Sequence, residues 1–462
     1  MFDFLRREPG FYKWLIKLSL PMVLQNLITY SLGFIDTFMV SRLGNEEMAA
    51  VTTANVPVFL LISLVFGFQS GLGILVSQYW GKGDAKSISR CLGVASLLGT
   101  AFTLVLAVLF AASPVAVMDL LSNRHELSLL GAPYLRVIGF SYVFNMLSSI
   151  YVSAQRSVEN AAFGLKVFGF STLLNTGLNY LLIFGKCGFP ALGVAGAAIA
   201  TLLARISEFV ICAVYALANK TIPLDLGLFF RPGGDMLRRF VKYASPVVVN
   251  EGIWGLGTSL LTVILGYTDN SVEMLAANAL IGNLHKVFLV VCFGLGAASA
   301  VMTGKAIGEG QSREKVMSLS GTLMWISLLV GMVLMTAALI LVPLLLVPVV
   351  FPMFKLFGEA GEIARALAVM DFLGIPLHAC AITAITGVLR GGGDVFWSTL
   401  LDLSPQWLVC IPATALIALV FHMDAWWIGF AIQLESIATF PLCVWRVRGG
   451  KWINDVTRGG GA

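Results

Sequence analysis

The chain has 462 residues, 58% of them hydrophobic and 12% charged, with a formal net charge of +5 and a mean hydropathy of +0.88. Soluble domains carry roughly 25% charged residues, so a soluble fold is excluded. So is a sizeable soluble domain beside a membrane bundle, because roughly ten to fourteen spans of about 20 residues with short loops use up the length.

The N-terminus, MFDFLRREPGFYKWLIKLSLP, carries Arg6, Arg7, Lys13 and Lys17 and runs into a full-length apolar stretch without a small-residue cleavage site. It is expected to stay as a cytoplasmic cap. Apolar runs of helical length predict spans near 15–40, 51–77, 92–116, 128–155, 163–185, 193–218, 242–266, 275–303, 317–350, 363–389, 396–421 and 426–446. The ninth run holds Pro343 and Pro348 and is long enough to end in a loop or bend. Cys91, Cys187, Cys212, Cys292, Cys380, Cys410 and Cys443 are scattered singly, without CxxC or Cys/His spacing, and read as packing residues with no metal or disulfide role.

Lys and Arg accumulate on the cytoplasmic side of short loops. The termini and even-numbered loops hold 22 of them, whereas the odd-numbered loops hold five: Arg42, Arg124, Lys186, Lys355 and Arg365. Both termini are therefore expected in the cytoplasm of a multi-pass protein of the cell membrane. The basic residues sit in loops near lipid, and no basic tract calls for nucleic acid.

The chain repeats itself. SLPMVLQNLI from Ser19 matches ASPVVVNEGI from Ala244, which sets Pro21 opposite Pro246 and Asn26 opposite Glu251. EMAAVTTAN from Glu47 matches EMLAANALI from Glu273, GKGDAK from Gly81 matches GEGQSR from Gly308, and AQRSVEN (154–160) matches VLRGGGD (388–394). Two halves of six spans each run parallel, related by an axis along the membrane normal, and such a pair is expected to enclose a cleft. The expected division is an N-lobe over 1–219, a cytoplasmic linker over 220–241 with Pro223, Pro232, Gly233 and Gly234, and a C-lobe over 242–462.

Gly67 and Gly71 form a GxxxG in span two, and Gly294 with Ala298 is its counterpart in span eight; both read as close helix contacts. RGGGD and GKGD suggest a phosphate cradle only superficially, since neither fits GxxxxGK[ST]. Without a nucleotide motif the energy source is expected to be an ion gradient.

An ionisable side chain at bilayer depth costs about 2.5–3.5 kcal/mol on insertion scales, so each one asks for a reason. Asp36 lies near the outer end of span one; a buried carboxylate can take up a proton or bind a bare cation with neighbouring oxygens, or it can simply bond nearby backbone. Asn175 and Asn179 form an i, i+4 pair on span five whose carbonyls suit an oxygen shell, or interhelical hydrogen bonds. Asn250 and Glu251 precede Trp254 on span seven, so an acid and an aromatic share a face that suits an organic cation; the alternative is a basic partner for Glu251 elsewhere. Arg205 and Glu208, three residues apart, most simply neutralise one another. Lys286 lacks a local partner, Asp402 and Glu435 are candidates to line the cleft, Asp371 is either there or interfacial, and His378 reads as packing. The Met and Phe richness reads as core or lipid contact, although soft apolar walls also suit promiscuous binding.

These residues resemble the multidrug and toxic compound extrusion (MATE) transporters over nearly the whole chain: LPMVLQNL and GFIDTFMVSRLG in span one, LVSQYWGKGD after span two, LNYLLIFGKCGFPALGVAGAAIAT across spans five and six, GVLRGGGDVF after span ten, and the tail WRVRGGKW. The resemblance implies a V-shaped fold of twelve helices and H⁺- or Na⁺-coupled export of cationic drugs and metabolites. It implies that Asp36 is the span-one coupling residue, that Asn175 and Asn179 are polar positions of the same N-lobe site, and that Glu251 is the span-seven acid. Two departures stand out. Ala197 replaces a Thr found in some members with a sodium site, which removes a hydroxyl ligand, and Asp371 lies nearly twenty residues before Arg390, where some members carry a mid-span acid closer to the turn.

The sequence thus reads as an all-α integral membrane protein, a monomer in the lipid bilayer. It exports organic, cationic drugs or metabolites by alternating access against a coupling cation, H⁺ in preference to Na⁺. Ion coupling is assigned to Asp36, Asn175, Asn179 and Glu251, and substrate binding to Asn26, Asn250, Glu251, Trp254 and Asp402. No catalytic residue, resident metal, cofactor or nucleic-acid partner is expected. The nearest rival is a flippase for lipids or lipid-linked oligosaccharides, which would want a strongly cationic cavity. A membrane enzyme would need clustered catalytic groups that four scattered histidines do not supply. A passive channel would conduct without counter-ion flux.

Overall fold

The structure, a computed structural model, describes residues 7–121, 124–218, 224–354 and 356–458. Arg6, Lys220, Pro223 and Lys355 lie outside the described residues. Among the described residues all regular structure is helical, and twelve helices are long and apolar enough to cross a membrane. In chain order they are α1 (Pro9–Ser41), α2 (Glu46–Lys82), α3 (Ala85–Ala112), α4 (His125–Ser157), α5 (Ala161–Phe184), α6 (Gly193–Ala218), α7 (Gly234–Gly266), α8 (Ser271–Gly308), α9 (Arg313–Met353), α10 (Glu359–Leu389), α11 (Val395–Val420) and α12 (Ala425–Gly449).

The helices outrun the apolar runs because hydropathy registers only the stretch that lipid must cover, while caps and polar turns extend the backbone ladder into the headgroup region. Between α2 and α3 the chain turns at Gly83, whose φ of 75° is the left-handed conformation that glycine adopts freely, and Asp84 Oδ1 accepts from Ser87 N at 3.0 Å to cap α3. In α9 the backbone does not end at Pro343 and Pro348. It continues through widened π-helical turns over Val342–Val350, which absorb the hydrogen bonds that the prolines cannot donate. Similar turns occupy Thr383–Leu389 in α10, and Gln406–Cys410 and Leu416–Val420 in α11, the latter two close behind Pro405 and Pro412.

Packing divides the chain into two compact units, Leu20–Val248 and Met1–Ser19 with Val249–Ala462. Their boundaries fall inside α1 and α7, whereas the division expected from sequence falls at 220–241. The first unit is centred on α4, with Leu135 and Ile138 packed against Ala54, Val58 and Leu61 of α2, Phe110 of α3 and Ala197 and Ala198 of α6. The second is centred on α10, whose Phe372 and Ile375 meet Ala277 of α8, Ala338 of α9 and Ile428 of α12. Lipid does not squeeze helices together as water does, so close approach by small residues carries the association. A Cβ on Gly71 would stand 2.5 Å from Ala244 Cβ of α7, and one on Gly387 would stand 2.8 Å from Ser299 Cβ of α8; Gly294 and Ala298 are buried on that same helix.

The repeat is visible in how each unit ties down the turn after its central helix. Asn160, which ends AQRSVEN, donates to Tyr215 of α6 at 3.2 Å, and its counterpart Asp394 accepts from Arg446 of α12 at 2.7 Å. Arg446 also stacks 4.5 Å over Trp397. In the second unit the fully buried Trp452 closes over the glycines of RGGGD, where a Cβ on Gly392 would strike its ring and Gly393 has φ 77°. Those glycines serve the turn, not a phosphate.

Candidate functional site

The first cluster lies in the N-terminal unit. Asp36 sits five residues before the end of α1, and Asn175 and Asn179 on α5 turn one face toward it, both 1% exposed. Asn179 Nδ2 donates to Asp36 Oδ1 at 2.6 Å and to Asn175 Oδ1 at 3.0 Å. The other amide atom of Asn175 meets Thr201 Oγ1 at 3.2 Å, and Thr201 bonds back to Ala197 O at 3.1 Å. The neighbours of Asn175 are satisfied with its amide turned over. Its nitrogen then faces Asp36 Oδ1 at 3.0 Å, and its carbonyl accepts from Thr201 Oγ1 and N at 3.2 Å.

Thr201 is the residue that sequence reasoning passed over, although it closes the motif GVAGAAIAT one helical turn after Ala197. Its hydroxyl reaches the cluster that the substitution at Ala197 was expected to leave short of oxygen, so the argument against Na⁺ from Ala197 loses its force. Asn26 lies on α1 ten residues before Asp36, and among the described residues no hydrogen bond joins it to this cluster. Deeper in the same unit, Arg205 Nη1 pairs with Glu208 at 2.7 and 3.0 Å, an internally neutral couple.

The second cluster lies in the C-terminal unit at the end of α10. Arg390, 2% exposed, directs Nη1 and Nη2 at Glu251 Oε1 at 3.4 Å each and lies 3.9 Å from Asp402 Oδ2. Asn250 donates to the same Asp402 oxygen at 2.7 Å. Glu251 thus has its basic partner, the alternative left open by its neighbourhood in sequence, and two carboxylates share one guanidinium. That surplus of negative charge suits a proton or an organic cation. Trp254 keeps a different company: Gln406 Nε2 donates to its backbone oxygen at 3.2 Å. Arg390 could have been found from the repeat, which sets it opposite Arg156.

The same unit also brings together Asp371, His378 and His285, a histidine that no sequence pattern singled out. His285 Nδ1 lies 2.6 Å from Asp371 Oδ2, while Lys286 beside it is exposed. Six cysteines are buried as packing residues should be, and Cys187, in the turn after α5, is exposed. Among the described residues no three His, Cys, Asp or Glu side chains are placed to hold a metal ion.

Comparison with known proteins places this geometry. Residues 21–181 match the sequence model of the MatE family. The chain is 22% identical to the probable multidrug resistance protein YoeA of Bacillus subtilis (strain 168), with 96% of each chain covered. It is 25% identical to the probable multidrug resistance protein NorM of Agrobacterium fabrum (strain C58), with 92% of each covered. Its fold matches a crystal structure of MATE in complex with MaL6 at a TM-score of 0.85, with 19% identity and coverage of 97% of this chain and 98% of that one. The chain thus resembles MATE transporters in sequence and in fold. Its twelve long apolar helices make it a multi-pass membrane protein. A MOP superfamily transporter from Pyrococcus furiosus, described by a reversed polarity of its binding pocket, shares the fold at a TM-score of 0.82 and 18% identity, over 97% of this chain and 98% of that one.

Proposed function

We propose that this chain is a MATE transporter that exports small organic cations from the cell by alternating access, driven by protons that move inward through Asp36. The observation that carries the reading is the Asp36 carboxylate held by neutral amides, Asn179 Nδ2 at 2.6 Å and the Asn175 nitrogen at 3.0 Å. An amide donates to a carboxylate and to a carboxyl oxygen alike, so Asp36 keeps its partners whether it holds the proton or has released it.

A bare cation fits less well. The Asp36 oxygen and the two amide atoms stand within 2.6 to 3.0 Å of one another, a spacing already closed by hydrogen bonds. Charge supports a cationic cargo: the Glu251, Asp402 and Arg390 cluster carries more acid than base, the opposite of what a pyrophosphate-bearing lipid would want. The printed names of the relatives from Bacillus and Agrobacterium, multidrug resistance proteins, agree with a broad small-molecule substrate range. The excess of Lys and Arg in the termini and even-numbered loops supports a cell-membrane placement with both termini cytoplasmic.

Proteoliposomes loaded with a fluorescent organic cation test the reading under an imposed pH gradient, an imposed Na⁺ gradient at clamped pH, or neither. Uphill movement with the pH gradient alone is the expected result. Movement that follows only the Na⁺ gradient would overturn proton coupling, and equal movement in all three conditions would mean a passive channel.

A further inference from the structure

We propose that the groove between the C-terminal ends of α1 and α5 binds one anionic phospholipid, its acyl chain lying along the groove and its phosphate meeting Arg42. The site goes beyond the transport reading above and does not depend on it.

Phe34, Ile35, Phe38 and Met39 of α1 and Tyr180 and Phe184 of α5 line a groove of about 490 Å³. That volume falls within the roughly 300–1,000 Å³ of small-molecule sites. Helical spacing builds its walls. Phe34 and Phe38 stand one turn apart on α1, and Tyr180 and Phe184 one turn apart on α5, where their rings meet edge to face at 6.2 Å. The two stripes run side by side because Asn179, next to Tyr180, donates to Asp36, next to Ile35, at 2.6 Å. Phe34, Phe38 and Tyr180 are 55%, 60% and 50% exposed, so their rings stand out from the helices with a trough between them. The six side chains offer one hydroxyl, too few for the about two to four partners an ordered water needs, and hydrocarbon is the fitting content.

The polar end of the groove is Arg42. It lies on the same face of the chain one turn after Phe38, with its guanidinium 4.8 Å over that ring. Among the described residues no carboxylate lies within ion-pair distance of it. A stacked guanidinium keeps its fork of N–H donors free, and the fork matches the oxygens of a phosphate. Leu43 Cδ1 lies 3.8 Å from where a Cβ on Gly193 would stand, so this end of α1 is level with the turn after α5, where Lys186 is exposed. Of the five basic residues in the odd-numbered loops, two therefore stand at this one groove, on the side where Lys and Arg are scarce.

A phosphate with an apolar tail matches both ends. Phosphatidylcholine brings an ammonium that offsets its phosphate, so an anionic headgroup fits better. An organic cation would be repelled by Arg42, and a second copy related by an axis along the membrane normal would set Arg42 near Arg42 at one depth. A lipid lying there touches both helices that the Asp36–Asn179 bond joins, and it stabilises the folded chain by mass action.

Thermal melting of the purified full chain in detergent, titrated with phosphatidylglycerol or with phosphatidylcholine of the same acyl chains, tests the site. Phosphatidylglycerol is expected to raise the melting temperature at about fivefold lower concentration. Arg42→Gln should bring the two lipids level, and Phe34→Ser should weaken both. Arg365→Gln removes a basic residue of an odd-numbered loop in the other unit and should leave the preference intact. Glycerol phosphate, a headgroup without a tail, should do nothing. The three substituted side chains are exposed, so the variants are expected to fold. Equal action of the two lipids on the wild type, a preference that persists in Arg42→Gln or is lost equally in Arg365→Gln, or unchanged lipid action in Phe34→Ser would overturn the site. So would stabilisation by glycerol phosphate alone, or a lipid-free dimer that Phe34→Ser dissociates, which would give the groove to a second copy.

Discussion

Asn179 Nδ2 donates to Asp36 Oδ1 at 2.6 Å, so the span-one carboxylate is met directly by a neutral amide and not by a cation. Such a partner tolerates both protonation states, since an amide donates to a carboxylate and to a carboxyl oxygen alike. Asp36→Asn mimics the protonated shape and can neither lose nor gain charge. We expect it to abolish uphill export under a pH gradient while its melting temperature stays at or above that of the wild type. Proteoliposome transport and a thermal shift series check both halves.

Thr201 supplies the hydroxyl that Ala197 does not. Thr201→Val keeps the shape and removes that partner, and should cost about 1 kcal/mol of stability. If protons drive transport, the pH gradient should still power slower export in this variant. Loss of a Na⁺-dependent component at clamped pH would show instead that the hydroxyl serves a bare cation.

Arg390 is buried between Glu251 and Asp402, so removing the guanidinium strands two carboxylates, and removing Glu251 strands nothing fully, because Asp402 remains at 3.9 Å. Breaking a buried pair typically costs roughly 3–5 kcal/mol. Arg390→Met should fall in that range and Glu251→Gln well below it. The double variant should melt above Arg390→Met alone. If Glu251→Gln also changes the export of a cationic substrate and spares a neutral one, the carboxylate serves the substrate as well as its partner.

Trp452 is fully buried against the turn that carries Arg390, and its indole nitrogen donates to Val447 O at 2.8 Å. Truncation to Ala should cost roughly 3–5 kcal/mol and should loosen the turn. Export should fall with stability in this variant, whereas Trp452→Phe, which keeps the ring against Gly392, should recover most of both. Thermal melting and transport at matched protein levels separate the two.

The twelve helices were legible in the chain because the bilayer imposes one length scale and one composition on every span, so a local apolar run is enough to find each. The repeat was legible too, because equivalent turns need equivalent residues: AQRSVEN and VLRGGGD both end on a side chain that reaches the last helix of its own half. The Asn175 and Asn179 pair was readable from its i, i+4 spacing alone.

Partnerships between helices were not. Glu251 and Arg390 are separated by 139 positions, and only the packing of α7 against the end of α10 decides that the acid meets a guanidinium instead of the aromatic beside it in sequence. His285 carries no motif, and His378 alone looks like a packing residue; the contacts of His285 with Asp371 and with the His378 ring exist only because α8 crosses α10 at that level. Hydropathy and spacing are properties of one helix, and each finds what one helix does by itself. Which buried charges neutralise one another depends on distances between helices that lie far apart in the chain, and those are set by how glycines such as Gly387 let the backbones close.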